Sequence, residues 1–125
     1  MSNKLLLADD EEGIRKVLGI SLADRGYDVL TAKDGEDALK IFRRVQPQIV
    51  LTDIKMPGMD GLTLARLVRQ QFPQTAVVML TAYVTPELIR QTEALSIRYV
   101  LNKPVKLPEI RQVVSEILLE NLLTG

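Results

Sequence analysis

Short apolar runs alternate along the chain with amphipathic stretches, and the alternation predicts a strand followed by a helix, five times over. Leu5 to Ala8 is the first apolar run. Ile14, Val17, Leu18 and Leu22 follow at the spacing of one helical face, and Gly26 stops that helix. Tyr27 to Ala32 reads as a second strand. Asp34-Gly35-Glu36 opens a helix with Ala38, Ile41, Phe42 and Val45 on one side, and Pro47 punctuates. Gln48 to Thr52 is a third strand, and the stretch from Asp53 to Asp60 holds Pro57 and Gly58, which marks a loop. Gly61 leads into a helix with Leu64, Leu67, Val68 and a trailing Phe72. Ala76 to Leu80 is an uninterrupted, buried strand. Thr85-Pro86-Glu87 supplies an N-cap and a proline at the first helical position. The helix that follows has a thin apolar face, mainly Leu88, Ile89 and Leu95. Tyr99 to Leu101 is the fifth strand, and Pro108 to Leu119 the last helix, with Ile110, Val113, Val114, Ile117 and Leu118 inward.

Strands apolar on both faces, each followed by a helix, imply an α/β fold with a parallel sheet covered on both sides. Right-handed crossovers make it open and doubly wound. Ligands of such sheets sit beyond the carboxyl ends of the strands. No linker, internal repeat or low-complexity segment interrupts the pattern. We therefore expect one domain over residues 1–125, with its core at about 4–119 and residues 120–125 as a tail or the start of a linker. In that tail, Leu118, Leu119, Leu122 and Leu123 read as a fraying extension of the last helix, or as a linker or dimer contact.

Composition narrows the chemistry by exclusion. The 125 residues carry 16 Lys+Arg against 16 Asp+Glu, so no strong basic field is available for nucleic acid or an anionic membrane. There is no Cys and no His, which excludes disulfides, thiolate or imidazole metal sites, Ser-His-Asp triads and a phosphohistidine on this chain. The apolar run after Met1-Ser2-Asn3-Lys4 is too short for a signal-peptide core or a membrane span, and a cytoplasmic protein is expected.

The polar residues that follow the strands are the informative ones. The first strand ends in Asp9-Asp10, the third in Asp53, the fourth in Thr81 and the fifth in Asn102-Lys103-Pro104. A parallel sheet brings all these ends to one edge. Three carboxylates there repel one another, and two unit charges at about 4 Å cost roughly 4 kcal/mol at an effective dielectric of 20. A divalent cation relieves that repulsion. Oxygen ligands without His or Cys favour a hard ion, and Mg²⁺ characteristically takes one or two carboxylates, waters and a phosphate oxygen. Lys103 adds a compact positive charge suited to a phosphoryl oxygen. A carboxylate is an accepted nucleophile at phosphorus. Each feature has a plainer reading alone: Asp9-Asp10 as a helix cap, Asp53 as turn chemistry, Thr81 as a cap, Lys103-Pro104 as an exposed turn. Their joint occurrence at four strand ends favours a site.

With these residues in view, the sequence resembles the response-regulator receiver family over essentially the whole chain, from Lys4 to Leu119. The resemblance is carried by Leu6-Leu7-Ala8-Asp9-Asp10-Glu11, by Asp53 to Gly61 with its Met-Pro and Asp-Gly, by Leu80-Thr81-Ala82 and by Lys103-Pro104. It implies a flavodoxin-like (βα)₅ fold with strand order 2-1-3-4-5. It also implies that Asp53 is the phosphoacceptor and that Asp10 ligates Mg²⁺ directly, with Asp9 helping, Asp53 contributing and the Lys55 backbone carbonyl a further ligand. Thr81 is expected to hydrogen-bond the phosphoryl group and Lys103 to contact one of its oxygens, with a cis bond to Pro104. The implied donor is a phosphohistidine of a separate histidine kinase or phosphotransfer protein. The implied readout is a surface of the fourth helix, fifth strand and fifth helix, presented to an output domain or downstream protein. A phosphorylation-dependent dimer is a further partner of this kind; direct nucleic-acid and membrane contacts are not expected.

Two positions depart from the family pattern. Val100 stands where the family usually places a Tyr or Phe that swings inward, and Tyr99 beside it would point to the other side of the strand. Ser96 stands where the family often has Gly. Lys55 and Tyr83 lie at the mouth of the site, where they would border an acyl phosphate and modulate its access to water. The principal reading is a phosphoacceptor switch that assists its own phosphorylation and dephosphorylation rather than an enzyme. One competing class is a phosphorylation-independent interaction module. Another is a phosphatase of the haloacid-dehalogenase-like kind, which typically has a second acid where this chain has Lys55.

Overall fold

Sheet strands covered on both faces need apolar side chains on both, and the strands here supply them. In the computed structural model, which describes residues 3–124, the elements run β1 (Lys4–Ala8), α1 (Glu12–Ala23), β2 (Asp28–Ala32), α2 (Gly35–Val45), β3 (Ile49–Asp53), α3 (Gly61–Gln71), β4 (Ala76–Thr81), α4 (Pro86–Ala94), β5 (Tyr99–Asn102) and α5 (Leu107–Thr124). The expected domain limits at Met1 and Gly125 fall outside the described residues. All pairings are parallel, and the order is β2-β1-β3-β4-β5, as the family resemblance implies.

The period of two divides each strand between two cores. Leu5 and Leu7 of β1, Leu51 of β3 and Leu80 of β4 face α1 and α5, where Leu18, Leu22, Ile110 and Val114 meet them. Leu6, Val50 and Met79 face the other way, onto Ala38 and Phe42 of α2 and Leu64 and Val68 of α3. Phe42 and Phe72 close that layer edge to face, with ring centroids 5.6 Å apart. Asp34, Asp60 and Thr85 cap α2, α3 and α4 by accepting from Asp37, Thr63 and Leu88 backbone N–H groups.

Four expectations shift. Val17 was placed on the core face of the first helix, yet it is 55% exposed, and the small polar Ser21 takes the buried place beside Leu18 and Leu22. On the helical wheel Ser21 lies only about 20° beyond the arc that Ile14, Leu18 and Leu22 define, whereas Val17 lies about 60° beyond it, and Arg111 Nε donates to the Ser21 hydroxyl at 2.9 Å. The buried residues of α4 are Leu88 and Thr92, while Ile89 and Leu95 are only half-buried. Thr92 tolerates burial because its hydroxyl donates to Ile89 O at 2.9 Å. Tyr27 precedes β2 rather than opening it. Finally, the end of the last helix, α5, moves from Leu119 to Thr124, which bears out the reading of the tail as an extension of that helix; no breaker stands before Gly125. Its last turns leave Leu119, Leu122 and Leu123 exposed.

Candidate functional site

The carboxyl edge of the sheet is built by the ends of β1, β3, β4 and β5. Register sets their heights: Ala8 pairs with Thr52, Asp53 with Leu80, and Thr81 with Asn102. Asp9, Asp53, Thr81 and Lys103 therefore emerge from one edge of the sheet. Asp9 is fully buried, and Asp53 and Thr81 are nearly so, at 7% and 5% exposure. Asp10 and Glu11 stand exposed beside them.

Lys103 reaches past β4 to draw the carboxylates together. Its ammonium lies 2.7 Å from Asp9 Oδ2, 2.9 Å from Asp53 Oδ2 and 3.6 Å from Glu11 Oε1. The other oxygens of the buried acids are held by backbone: Glu11 N–H donates to Asp9 Oδ1 at 2.9 Å, and Ile54 N–H to Asp53 Oδ1 at 2.8 Å. Arg15 Nη1 donates to the Asp9 carbonyl at 2.7 Å and ties α1 to the end of β1. Lys103 N–H donates to the Thr81 carbonyl at 2.8 Å, which fixes the start of the β5–α5 loop, and the Lys103–Pro104 peptide is cis as expected. Gly61 N–H donates to Ile54 O at 2.8 Å, and any Cβ on Gly61 would run into the Asp53 carbonyl. Glycine at that position lets α3 start directly against the strand end that carries Asp53.

These surroundings perturb the charges in opposite senses. Burial pushes the Asp53 carboxyl above its ordinary value; hydrogen bonding and attraction from Lys103 pull it down without cancelling the burial, and the Asp9 carboxylate adds to the rise. For Lys103, burial works against the ammonium, but its bonds to Asp9 and Asp53 prevail and raise its pKa.

The donor set suits a hard cation. One carboxylate oxygen from each of Asp9, Asp10, Glu11 and Asp53 lies within 4.8 Å of the others. An octahedral Mg²⁺ with bonds of about 2.0–2.1 Å places opposite ligands about 4 Å apart, so small side-chain adjustments suffice. Sequence reasoning assigned Glu11 no part, although the unbroken run Asp9-Asp10-Glu11 was the signal for a fourth carboxylate. It also missed Arg15, one helical turn beyond Glu11.

The two mouth residues meet each other. The Lys55 ammonium lies 4.9 Å from the centroid of the Tyr83 ring, and Tyr83 N–H donates to Thr81 Oγ1 at 3.0 Å. On β5, Tyr99 and Val100 do point to opposite sides: Tyr99 packs on the α1–α5 core and Val100 on the α2–α3 core. The Tyr99 hydroxyl donates to Glu116 Oε2 at 3.3 Å, and Arg98 pairs with Glu120 through both its terminal nitrogens at 2.7 and 3.0 Å. Tyr99 is thus tied to α5 rather than free to swing toward Thr81.

Known proteins share this arrangement at the level of sequence and fold. The chain is 33% identical over 118 residues to sporulation initiation phosphotransferase F of Bacillus subtilis (strain 168), covering 94% of this chain and 95% of that one. It is 35% identical over 119 residues to the regulatory protein AtoC of Escherichia coli (strain K12), covering 93% of this chain and 25% of AtoC. The chain thus spans a quarter of the one relative and nearly the whole of the other. The chemotaxis protein CheY4 of Vibrio cholerae superimposes with a TM-score of 0.89 at 29% identity, covering 94% of this chain and 99% of that one. The family model for the response regulator receiver domain matches residues 5–115. With the sheet order, the strand-end acids and a match across nearly the full length all in agreement, this chain belongs to the response regulator receiver domains of two-component signalling.

Proposed function

We propose that this receiver takes a phosphoryl group onto Asp53 from a phosphohistidine of a partner kinase or phosphotransfer protein, in an Mg²⁺-dependent step. The observation that carries this reading is the Lys103 ammonium shared between Asp9 and Asp53, at 2.7 and 2.9 Å, within a cluster of four carboxylates. Asp9, Asp10, Asp53 and the Lys55 backbone carbonyl would hold the ion, and Glu11 extends the same donor set. When bound, Mg²⁺ supplies neutralisation of the negative charge that builds up on the transferring phosphoryl oxygens.

The chain's own groups do the rest. An Asp53 oxygen forms the new bond to phosphorus while the bond from phosphorus to the donor's imidazole nitrogen breaks, and its electron pair stays with that imidazole. The backbone N–H of Ile54 holds one Asp53 oxygen and so orients the other. Lys103 exchanges its contact with Asp53 Oδ2 for a phosphoryl oxygen, and its bond to Asp9 keeps it in place. Thr81 donates its hydroxyl to a second phosphoryl oxygen. The result propagates to the surface of α4, β5 and α5, where α4 has only Leu88 and Thr92 buried and is therefore cheap to move. This surface would meet an output domain or a downstream protein, in a phosphoacceptor switch rather than a turnover enzyme. Among the described residues no helix is long and apolar enough to cross a membrane, which is compatible with work in the cytoplasm.

The test is incubation with acetyl phosphate and Mg²⁺, followed by intact-mass measurement. A gain of one phosphoryl group that needs Mg²⁺ and disappears in Asp53→Asn is the expected result. Absence of the gain would favour the phosphorylation-independent module.

A further inference from the structure

We infer that Lys55 and Tyr83 form a lock that holds Thr81 in its resting orientation, and so sets how readily the domain is phosphorylated. The inference rests on the reading of Asp53 as acceptor and Thr81 as partner of the phosphoryl group.

Two loops flank the site: residues 54–60 after β3 and residues 82–85 after β4. The ammonium of Lys55 on the first lies over the ring of Tyr83 on the second, 4.9 Å from its centroid. The backbone N–H of the same Tyr83 donates to Thr81 Oγ1 at 3.0 Å. The contacts act in series: the ring fastens Tyr83 to the β3–α3 loop, and its N–H fastens the hydroxyl of Thr81. Thr81 is buried, and among the described residues its hydroxyl has no other protein partner. Turning Oγ1 toward a phosphoryl group on Asp53 draws it away from Tyr83 N–H. The β4–α4 loop must then readjust, and the ring leaves the ammonium. The cation–π contact therefore weighs on the resting side.

The contact is solvent-facing, with Tyr83 66% exposed. An exposed contact of this kind biases a two-state equilibrium by about two- to fivefold. That is enough to tune a switch without jamming it. Substituting the Lys55 side chain leaves its backbone carbonyl in place, so the lock is separable from the proposed metal site.

The full chain tests this through acetyl phosphate with Mg²⁺. Tyr83→Leu and Lys55→Met are each expected to speed phosphorylation about two- to fivefold, and the double variant no more than either alone. Tyr83→Phe, which keeps the ring, is expected to match the parent. In the unphosphorylated, metal-free protein the Thr81 methyl carbon resonance, a reporter of its rotamer, is expected to move in the first two variants and not in Tyr83→Phe. Additive rate effects, or a Thr81 methyl resonance that stays put in Tyr83→Leu, would overturn the lock. Because the methyl readout needs no phosphorylation, a parent chain that accepts no phosphoryl group would count against the acceptor reading, while the resonance would still decide the lock.

Discussion

The ammonium of Lys103 lies 2.9 Å from Asp53 Oδ2, though the two residues are 50 positions apart and the strands that carry them are not neighbours. Lys103 spans β4 to reach the end of β3, and its second bond, to Asp9, reaches β1 beyond it. One side chain thereby balances two buried carboxylates drawn from separate strands.

Lys103→Met should expose the imbalance. In metal-free buffer the variant leaves Asp9 and Asp53 facing each other without a cation, and we expect a loss of about 2 kcal/mol in denaturant unfolding. Mg²⁺ should then raise the melting temperature of the variant more than that of the parent, since the ion no longer shares its ligands with an ammonium. An equal Mg²⁺ shift in both proteins would mean that the lysine and the ion do not share the site.

The raised pKa of Asp53 fixes a sign. The native state holds this proton more tightly than the unfolded state, whose value is near 3.8. Stability is therefore lost from Asp53 as pH rises from about that value through the native one, and the loss persists above it. In EDTA, the melting temperature of Asp53→Asn minus that of the parent should be smallest at acid pH, grow through this window and then level off. A difference that shrinks as pH rises would reverse the assignment. Lys103 works at the other end: its pKa is also raised, so its stabilisation is complete below its ordinary value of 10.5 and is lost as pH climbs through the higher native one.

Ser96 adopts φ of +58°, the left-handed region that a side chain disfavours. It is exposed, and its N–H donates to Glu93 O at 2.9 Å as the chain leaves α4. The Gly that the family resemblance leads one to expect at this position would adopt that backbone without strain. Ser96→Gly should stabilise the fold by about 0.5–1 kcal/mol, the relief of the left-handed strain exceeding the added freedom of the unfolded chain. Denaturant midpoints of the two proteins give the measurement, and an unchanged or lowered midpoint would count against it.

What the sequence made legible follows from how local each signal is. The strands were legible because runs such as Ala76 to Leu80 are apolar on both faces, and a parallel sheet then forces Asp9, Asp53, Thr81 and Lys103 to one edge. Helix faces were less legible. Val17 is exposed and Ser21 buried because packing against α5, through Arg111, decides which edge of α1 is covered. Glu11 was passed over because its approach to Lys103, at 3.6 Å, depends on the turn between β1 and α1 rather than on residue type. The Lys55–Tyr83 contact joins two loops whose relative placement no periodicity encodes. The departure at Val100 was visible in sequence, but only the pairing of Tyr99 with Glu116 shows that the neighbouring aromatic is already committed to α5.

The central claim is that Asp53, and no other carboxylate of this edge, forms the bond to phosphorus. Chemical trapping tests it most directly. After exposure to acetyl phosphate and Mg²⁺, borohydride reduction converts an acyl-phosphorylated aspartate to homoserine, and peptide mapping by mass spectrometry locates it. Homoserine at position 53 alone is the predicted result. Homoserine at position 9 or 10, or none in a chain that has gained a phosphoryl group, would contradict the account.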